Sequence, residues 1–407
     1  MTSVDTASCD PVDLLKQLIE IPSVNPDVDA AGGGESAIAD FIDDWFTQRG
    51  FYVERLESKP RRPSIVAIAR GTGGGKTLMF NGHVDTVGVA DYNGSGFLAK
   101  EAVGRIYGRG SCEMKAGVAA MMVAADNIRR RGVAGDVIVA CVADQEGSAW
   151  GTQEVLKSYS ADGAIVPEPS DLELTVCHKG LMWFDVVVKG KSAHGSRPDL
   201  GIDAILKSGK FLVALDDYSA DLAARPPHPI LGHGSAHASF IEGGTEISTY
   251  PGECKITIER RVVPGETRQT VIAEIADMIA EIKRDDAAFE ADVTCLDAKA
   301  AFEESHHSSI ATSVIRAATD CLGKSPRLRG EAFWLDTALL QEAGIPSVII
   351  GVKGEGVHDS EEWVETESVR QLTTILTTAG LDFCSVSENR TSPPIMRAEE
   401  KDALQAL

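Results

Sequence analysis

Residues 77–87 read TLMFNGHVDTV, and the fold follows from them. The apolar run at 77–80 is too short for a helix and follows the glycine-rich GTGGG of 71–75, so it reads as a buried strand. His83 and Asp85 stand directly at its end. Three more runs have the same texture: SIVAIA (64–69), VIVACVA (137–143) and GAIV (163–166). Helical patterns alternate with them. Asp10-Pro11 opens a helix with Leu14, Leu15, Leu18 and Ile19 at helical spacing, and a second carries Ile38, Phe41, Ile42, Trp45 and Phe46 before Gly50. A third spans roughly 115–131. Strands alternating with helices predict an α/β fold, a doubly wound and mostly parallel sheet, with ligands at the carboxyl ends of its strands. GTGGG lacks the Lys-Ser/Thr pair and the following helix of a phosphate loop, so it reads as a turn.

Near residue 180 the texture changes. LMWFDVVVKG (181–190) and CKITIERRVV (254–263) alternate with period two, as half-exposed strands do, and helical stretches lie near 201–217 and 266–285. From about 298 the first texture returns, with helices near 308–321, 336–343 and 366–384 and the strand PSVIIG (346–351). The expected organisation is one domain from 1–180 and 297–387, interrupted by a smaller α+β domain at 181–296. A polar tail with a Pro-Pro break follows at 388–407.

The 407 residues carry 39 basic and 61 acidic side chains, a net charge of −22, which argues against nucleic acid or an anionic membrane as partner. No stretch approaches the roughly 18 apolar residues of a membrane span. The start, MTSVDTASCDPVDLL, has neither the basic nor the apolar region of a signal peptide. The eight cysteines are scattered without a C-x-x-C pair, which predicts a reduced cytoplasmic protein.

Chemistry collects at the predicted strand ends. His83 and Asp85 follow TLMF, Glu113 sits in YGRGSCEMKAG, Glu146 closes VIVACVADQE, Glu168 follows GAIV and His358 follows PSVIIG. Two histidines and three carboxylates at one sheet edge form a nitrogen and oxygen donor set suited to one or two metal ions. Asp85, two residues past His83, is placed to take the imidazole N–H and fix its tautomer.

These stretches resemble the di-zinc family of aminoacylase, acetylornithine deacetylase, succinyl-diaminopimelate desuccinylase and carboxypeptidase G. The resemblance runs from LLKQLIEIPSVNP to HDSEEWV through NGHVDTV, YGRGSCEMKAGVAAM, VADQEG, PEPS, GKSAHGSRPDLGIDAI, ERRVVPGE and LDTALLQEAGIPSVIIG. It implies a catalytic α/β domain interrupted by a lid that pairs two subunits into a homodimer. It also implies Zn2+, with cobalt or manganese as substitutes. His83 and Glu168 would bind one ion, Glu146 and His358 the other, and Glu113 would bridge them. His194 would reach the neighbouring subunit's site and stabilise an oxyanion, and Arg261 would hold a substrate carboxylate. His178 is a further candidate near the site. His228, His233, His237, His306 and His307 receive no role.

Two positions depart from the family pattern. The bridging residue there is aspartate, and here it is Glu113, one methylene longer. The family has two adjacent glutamates, a general base and then a ligand, where this chain reads Gln145-Glu146. An amide cannot take a proton from water, and losing a positioned base costs about 10²–10⁴-fold. The expectation is a metal-dependent amidohydrolase on N-acyl amino acids or small peptides, weakened or altered at Gln145. Three readings of Gln145 stay open. The chain hydrolyses amides with another base; or it performs a non-hydrolytic reaction such as amide formation or rearrangement, or mere metal binding; or Gln145 is an inactivating substitution.

Overall fold

The computed structural model describes residues 9–385. The tail expected at 388–407, and residues 1–8 of the stretch read for a signal peptide, lie outside the described residues. The described chain divides into two compact units. One comprises residues 9–176, 304–328 and 339–385, the other 177–303 and 329–338. The second unit therefore begins slightly before and ends slightly after the expected 181–296, and it takes in a further segment at 329–338.

The first unit is built on a mixed sheet. Its strands run in the order Tyr52–Leu56, Ser64–Ala69, Val137–Val142, Leu78–His83, Gly163–Val166, Ser347–Ile349 and Leu174–His178. The four from Val137–Val142 to Ser347–Ile349 are parallel, and antiparallel strands flank them on both sides. These four are buried along their whole length, which is why each carries an apolar run. Helix Lys115–Arg131 packs on Leu78–His83 and Val137–Val142, with helices Pro11–Glu20 and Thr366–Phe383 against it. Helix Ser36–Thr47 packs on Tyr52–Leu56 and Ser64–Ala69, and helix Trp150–Leu156 packs on Ser64–Ala69 and Val137–Val142.

Packing rather than capping holds these helices. Asp10 accepts the Val12 N–H at 3.0 Å, a cap worth about 1 kcal/mol. The same helix buries Leu14, Leu15, Leu18 and Ile19 completely, worth about 1.5–3 kcal/mol each.

The second unit is a four-stranded antiparallel sheet in the order Ser235–Gly243, Glu253–Val262, Gly180–Lys189 and Glu290–Lys299. Alternate residues Met182, Phe184, Val186, Val188, Ile256 and Ile258 face a core shared with Phe211 and Leu215 of helix Ala204–Ala224 and Val271 and Ile275 of helix Arg268–Asp285. Among the described residues no helix is long and apolar enough to cross a membrane.

Candidate metal centre

Parallel pairing brings the donors together. Leu78–His83 lies between Val137–Val142 and Gly163–Val166 and runs parallel to both, so His83, the Gln145-Glu146 turn and Glu168 leave the sheet at one edge. Glu113 enters from the loop before helix Lys115–Arg131. Gly117 permits this approach, because a Cβ there would lie 2.1 Å from the Pro167 carbonyl oxygen, one residue before Glu168.

His83 Nε2 stands 3.1 Å from Glu113 Oε1 and 3.7 Å from Glu168 Oε1. One donor atom each of His83, Glu113 and Glu168 falls within 4.8 Å of the others, the spacing of ligands to one cation. His358 Nε2 lies 2.9 Å from Glu146 Oε1. Glu146 also feels the charges of His83 and Glu113, so the two groups share one electrostatic field.

The balance of charge in that field is negative. Burial disfavours a charged His83 ring, yet Asp85, Glu113 and Glu168 outweigh it and lift its pKa well above the usual range. The bond to Glu146 raises His358 in the same direction. Burial pushes Glu146 up, while for Glu113 burial is overcome by His83 and the net shift is downward. Asp85, Glu113, Glu146 and Glu168 outnumber the two histidines even when both rings are charged. Carboxylates and imidazoles in this arrangement are a donor set for a divalent cation.

Asp85 stands against the His83 ring through both its main chain and its side chain. The Asp85 main-chain carbonyl takes His83 Nδ1 at 3.0 Å, whereas its carboxylate stands at 3.5 Å. That carboxylate also accepts the backbone N–H of Gln145 and of Glu146 at 3.1 Å each. Asp85 thus grips the turn that carries residues 145 and 146.

Residues 79–381 match the model described as peptidase family M20/M25/M40. The chain belongs to this family. It is a metallohydrolase family that includes deacetylases and peptidases. The M20 chain is 27% identical over 350 residues to the acetylornithine deacetylase of Myxococcus xanthus, covering 82% of this chain and 89% of that protein. It is 26% identical over 386 residues to the succinyl-diaminopimelate desuccinylase of Parvibaculum lavamentivorans, covering 91% and 94%. Aminopeptidase PepT from Bacillus cereus has the same fold, with a TM-score of 0.74 at 20% identity over 92% of this chain and 98% of that one. A dinuclear metal-binding M20 peptidase from Bacillus subtilis superposes with a TM-score of 0.72 at 16% identity, covering 93% and 98%.

Two groups that support these donors went unread in the sequence. Glu362, fully buried, accepts from Arg109 Nη1 at 2.8 Å and from the backbone amides of Gly110, Cys112 and Glu113 at 2.8, 2.7 and 2.9 Å. It clamps the loop that presents Glu113. Asn25, Glu35, Arg62 and Asp144 form a buried network beneath the Gln145-Glu146 turn. The only hint of the first was the SEEW that follows His358; the second left no motif.

The remaining expected residues lie in the second unit. His194 is exposed, its Nδ1 2.9 Å from Ser196 Oγ. Arg261 donates to Glu259 at 2.7 Å, so a substrate carboxylate there competes with an existing partner. His178 is fully buried, stacked on Phe302 at 5.3 Å and edge-on to Trp334. Burial pushes its pKa down to about 4 from an ordinary 6.5.

This sets a pH dependence. Above about pH 6.5 the ring is neutral in both folded and unfolded chains. Below that, the unfolded ring takes a proton that the folded ring refuses until about pH 4. Stability is expected to fall across this window by up to about 3 kcal/mol from this ring. Urea unfolding at several pH values should show the slope flattened in His178→Phe; an unchanged slope would assign it elsewhere.

Proposed function

We propose that this M20 chain is a metal-dependent amidohydrolase acting on the amide bond of an N-acyl amino acid or small peptide, slowed by Gln145. The observation that supports this best is the grouping of His83 with Glu113 and Glu168, beside the pair Glu146 and His358. In this reading His83 and Glu168 hold one ion, Glu146 and His358 a second, and Glu113 lies between them. Zinc suits these donors, with cobalt or manganese as substitutes. Such a cation polarises an amide carbonyl and acidifies water. Asp85 fixes the turn, and Gln145 can donate to a carbonyl oxygen but cannot accept a proton from water. Deacetylase and desuccinylase relatives both release an acyl group, which supports an acylated amino acid as substrate.

Gln145 is also the observation that favours a second reading, a non-hydrolytic reaction on the same class of substrate. The purified chain is expected to carry one or two equivalents of divalent metal. A panel of N-acyl amino acids and dipeptides, with and without chelator, should show slow, metal-dependent hydrolysis. Absence of metal would leave a protein without this chemistry.

The same reading includes a homodimer formed through the second unit. Strand Ser235–Gly243 is a sheet edge that exposes Phe240 and Ile241, and the adjoining helix Ala204–Ala224 exposes Leu206 and Val213 one heptad apart. An open edge beside apolar side chains is a surface that asks for a partner. His194 of one chain would then serve the other chain's site. Sedimentation at micromolar concentration is expected to give a dimer, and Val213→Asp with Phe240→Asp a monomer. A wild-type monomer would remove both roles. None of the eight cysteines forms a disulfide, which supports a cytoplasmic location.

A further inference from the structure

We propose that Asn25 is the positioning residue for the turn that carries Gln145 and Glu146. The orientation of its amide is set by its neighbours. Oδ1 accepts from Arg62 Nη2 and from the Asp27 backbone N–H, each at 2.9 Å. Nδ2 therefore faces the other way and donates to Asp85 Oδ2 at 2.9 Å and Asp144 Oδ1 at 3.0 Å. Those two carboxylates follow neighbouring parallel strands, and each grips the turn. Asp85 accepts the amides of Gln145 and Glu146. Asp144 accepts the Ser148 N–H at 3.1 Å and its hydroxyl at 2.7 Å.

Two buried carboxylates this close repel unless donors lie between them. Asn25 supplies one N–H to each, and Arg62 adds a bond to Asp144 at 2.8 Å while its fork holds Glu35 at 2.5 and 2.9 Å. Asn25, Glu35, Asp85 and Asp144 are fully buried, so water cannot replace these bonds cheaply. The position needs one acceptor and two divergent donors on a short stem. Aspartate has no donor, and serine has one. Asparagine alone among short side chains meets the demand.

A purely local role is the competing explanation, since Asn25 also closes its own turn through Asp27. Asn25→Ser separates the two, because a serine hydroxyl can still accept the Asp27 N–H while both long bonds are lost. In Asn25→Ser, hydrogen exchange at residues 145–148 is expected to be at least about tenfold faster, with the central strands unchanged. Affinity for Zn2+ alone should drop about 10–100-fold for one ion, the range seen when a group behind a ligand is removed. This second expectation rests on the proposed role of Glu146 as ligand. Wild-type exchange at 145–148 in folded Asn25→Ser would overturn the proposal. If the wild-type chain takes no metal, the metal reading fails and exchange alone decides the role of Asn25. Should Asn25→Ser not fold, Asn25→Asp, the same shape without donors, repeats the test with the same two outcomes.

Discussion

A Gln145→Glu variant is expected to hydrolyse a suitable N-acyl amino acid about 10²-fold faster than the chain as it stands, or more. Glutamate and glutamine have the same length and shape, and the main chain at 145 is held by Asp85 at 3.1 Å, so the new carboxylate takes the place of the amide. What changes is proton affinity. A carboxylate accepts the proton that an attacking water must lose; an amide does not. The cost is a further negative charge beside Asp85, Glu113, Glu146 and Glu168, so the gain should appear only with a divalent cation present. Glu113 sets the second limit, because its extra methylene displaces the carboxylate near the reacting water. The double variant Gln145→Glu, Glu113→Asp is therefore expected to exceed the single one. Turnover by the unaltered chain at ordinary rates of about 1–10³ per second would mean that another residue supplies the base. If neither variant hydrolyses anything while metal is bound, the non-hydrolytic reading takes first place.

Glu362→Gln is expected to destabilise the chain by about 3–5 kcal/mol. The carboxylate accepts from one guanidinium and three backbone amides, all buried. Burial pushes its pKa up, although these donors and Arg109 pull towards the charged form. An amide keeps the size but turns one acceptor into a donor facing other N–H groups, and Arg109 is left buried without its counter-charge. An exposed ion pair such as Arg197–Asp199 would be lost almost unnoticed by comparison. The readouts are the urea midpoint and Zn2+ affinity, because the released loop carries Glu113. A loss of less than about 0.5 kcal/mol, ordinary for a surface change, would mean that the clamp is idle.

The parts of this fold that were legible are those where burial leaves a continuous signature. Ser64–Ala69 and Gly163–Val166 are buried from end to end, and helix Lys115–Arg131 ends at its Gly132. Strand Tyr52–Leu56, YVERL, is half-exposed and carries charges on an edge, so nothing in its composition separates it from a loop. The small sheet of Lys100–Ala102, Arg105–Tyr107, Trp363–Glu365 and Gly354–Glu355 uses strands too short to show any period. The residues proposed as ligands stand out in the sequence through motifs around His83, Glu146 and His358. Their supports were not. Glu362 acts on groups 249 to 253 positions away, and Asn25 on two carboxylates 60 and 119 positions away, so no local pattern betrays either.

The place of Ser347–Ile349 bears on how the protein is made. It lies between Gly163–Val166 and Leu174–His178, two strands almost adjacent in sequence, so the sheet keeps a gap for a segment that leaves the ribosome about 170 residues later. Through that interval the nascent chain presents Gly163–Val166 as an open apolar edge, the kind of surface that chaperones cover and aggregation exploits. The four-stranded sheet of the second unit, by contrast, has all its strands in hand by residue 299 and can close first. Glu362 arrives later still, so the loop bearing Glu113 is secured only once residue 362 has emerged. A chain that stalls before residue 347 has therefore made the whole second sheet without bringing together the residues proposed to hold a metal.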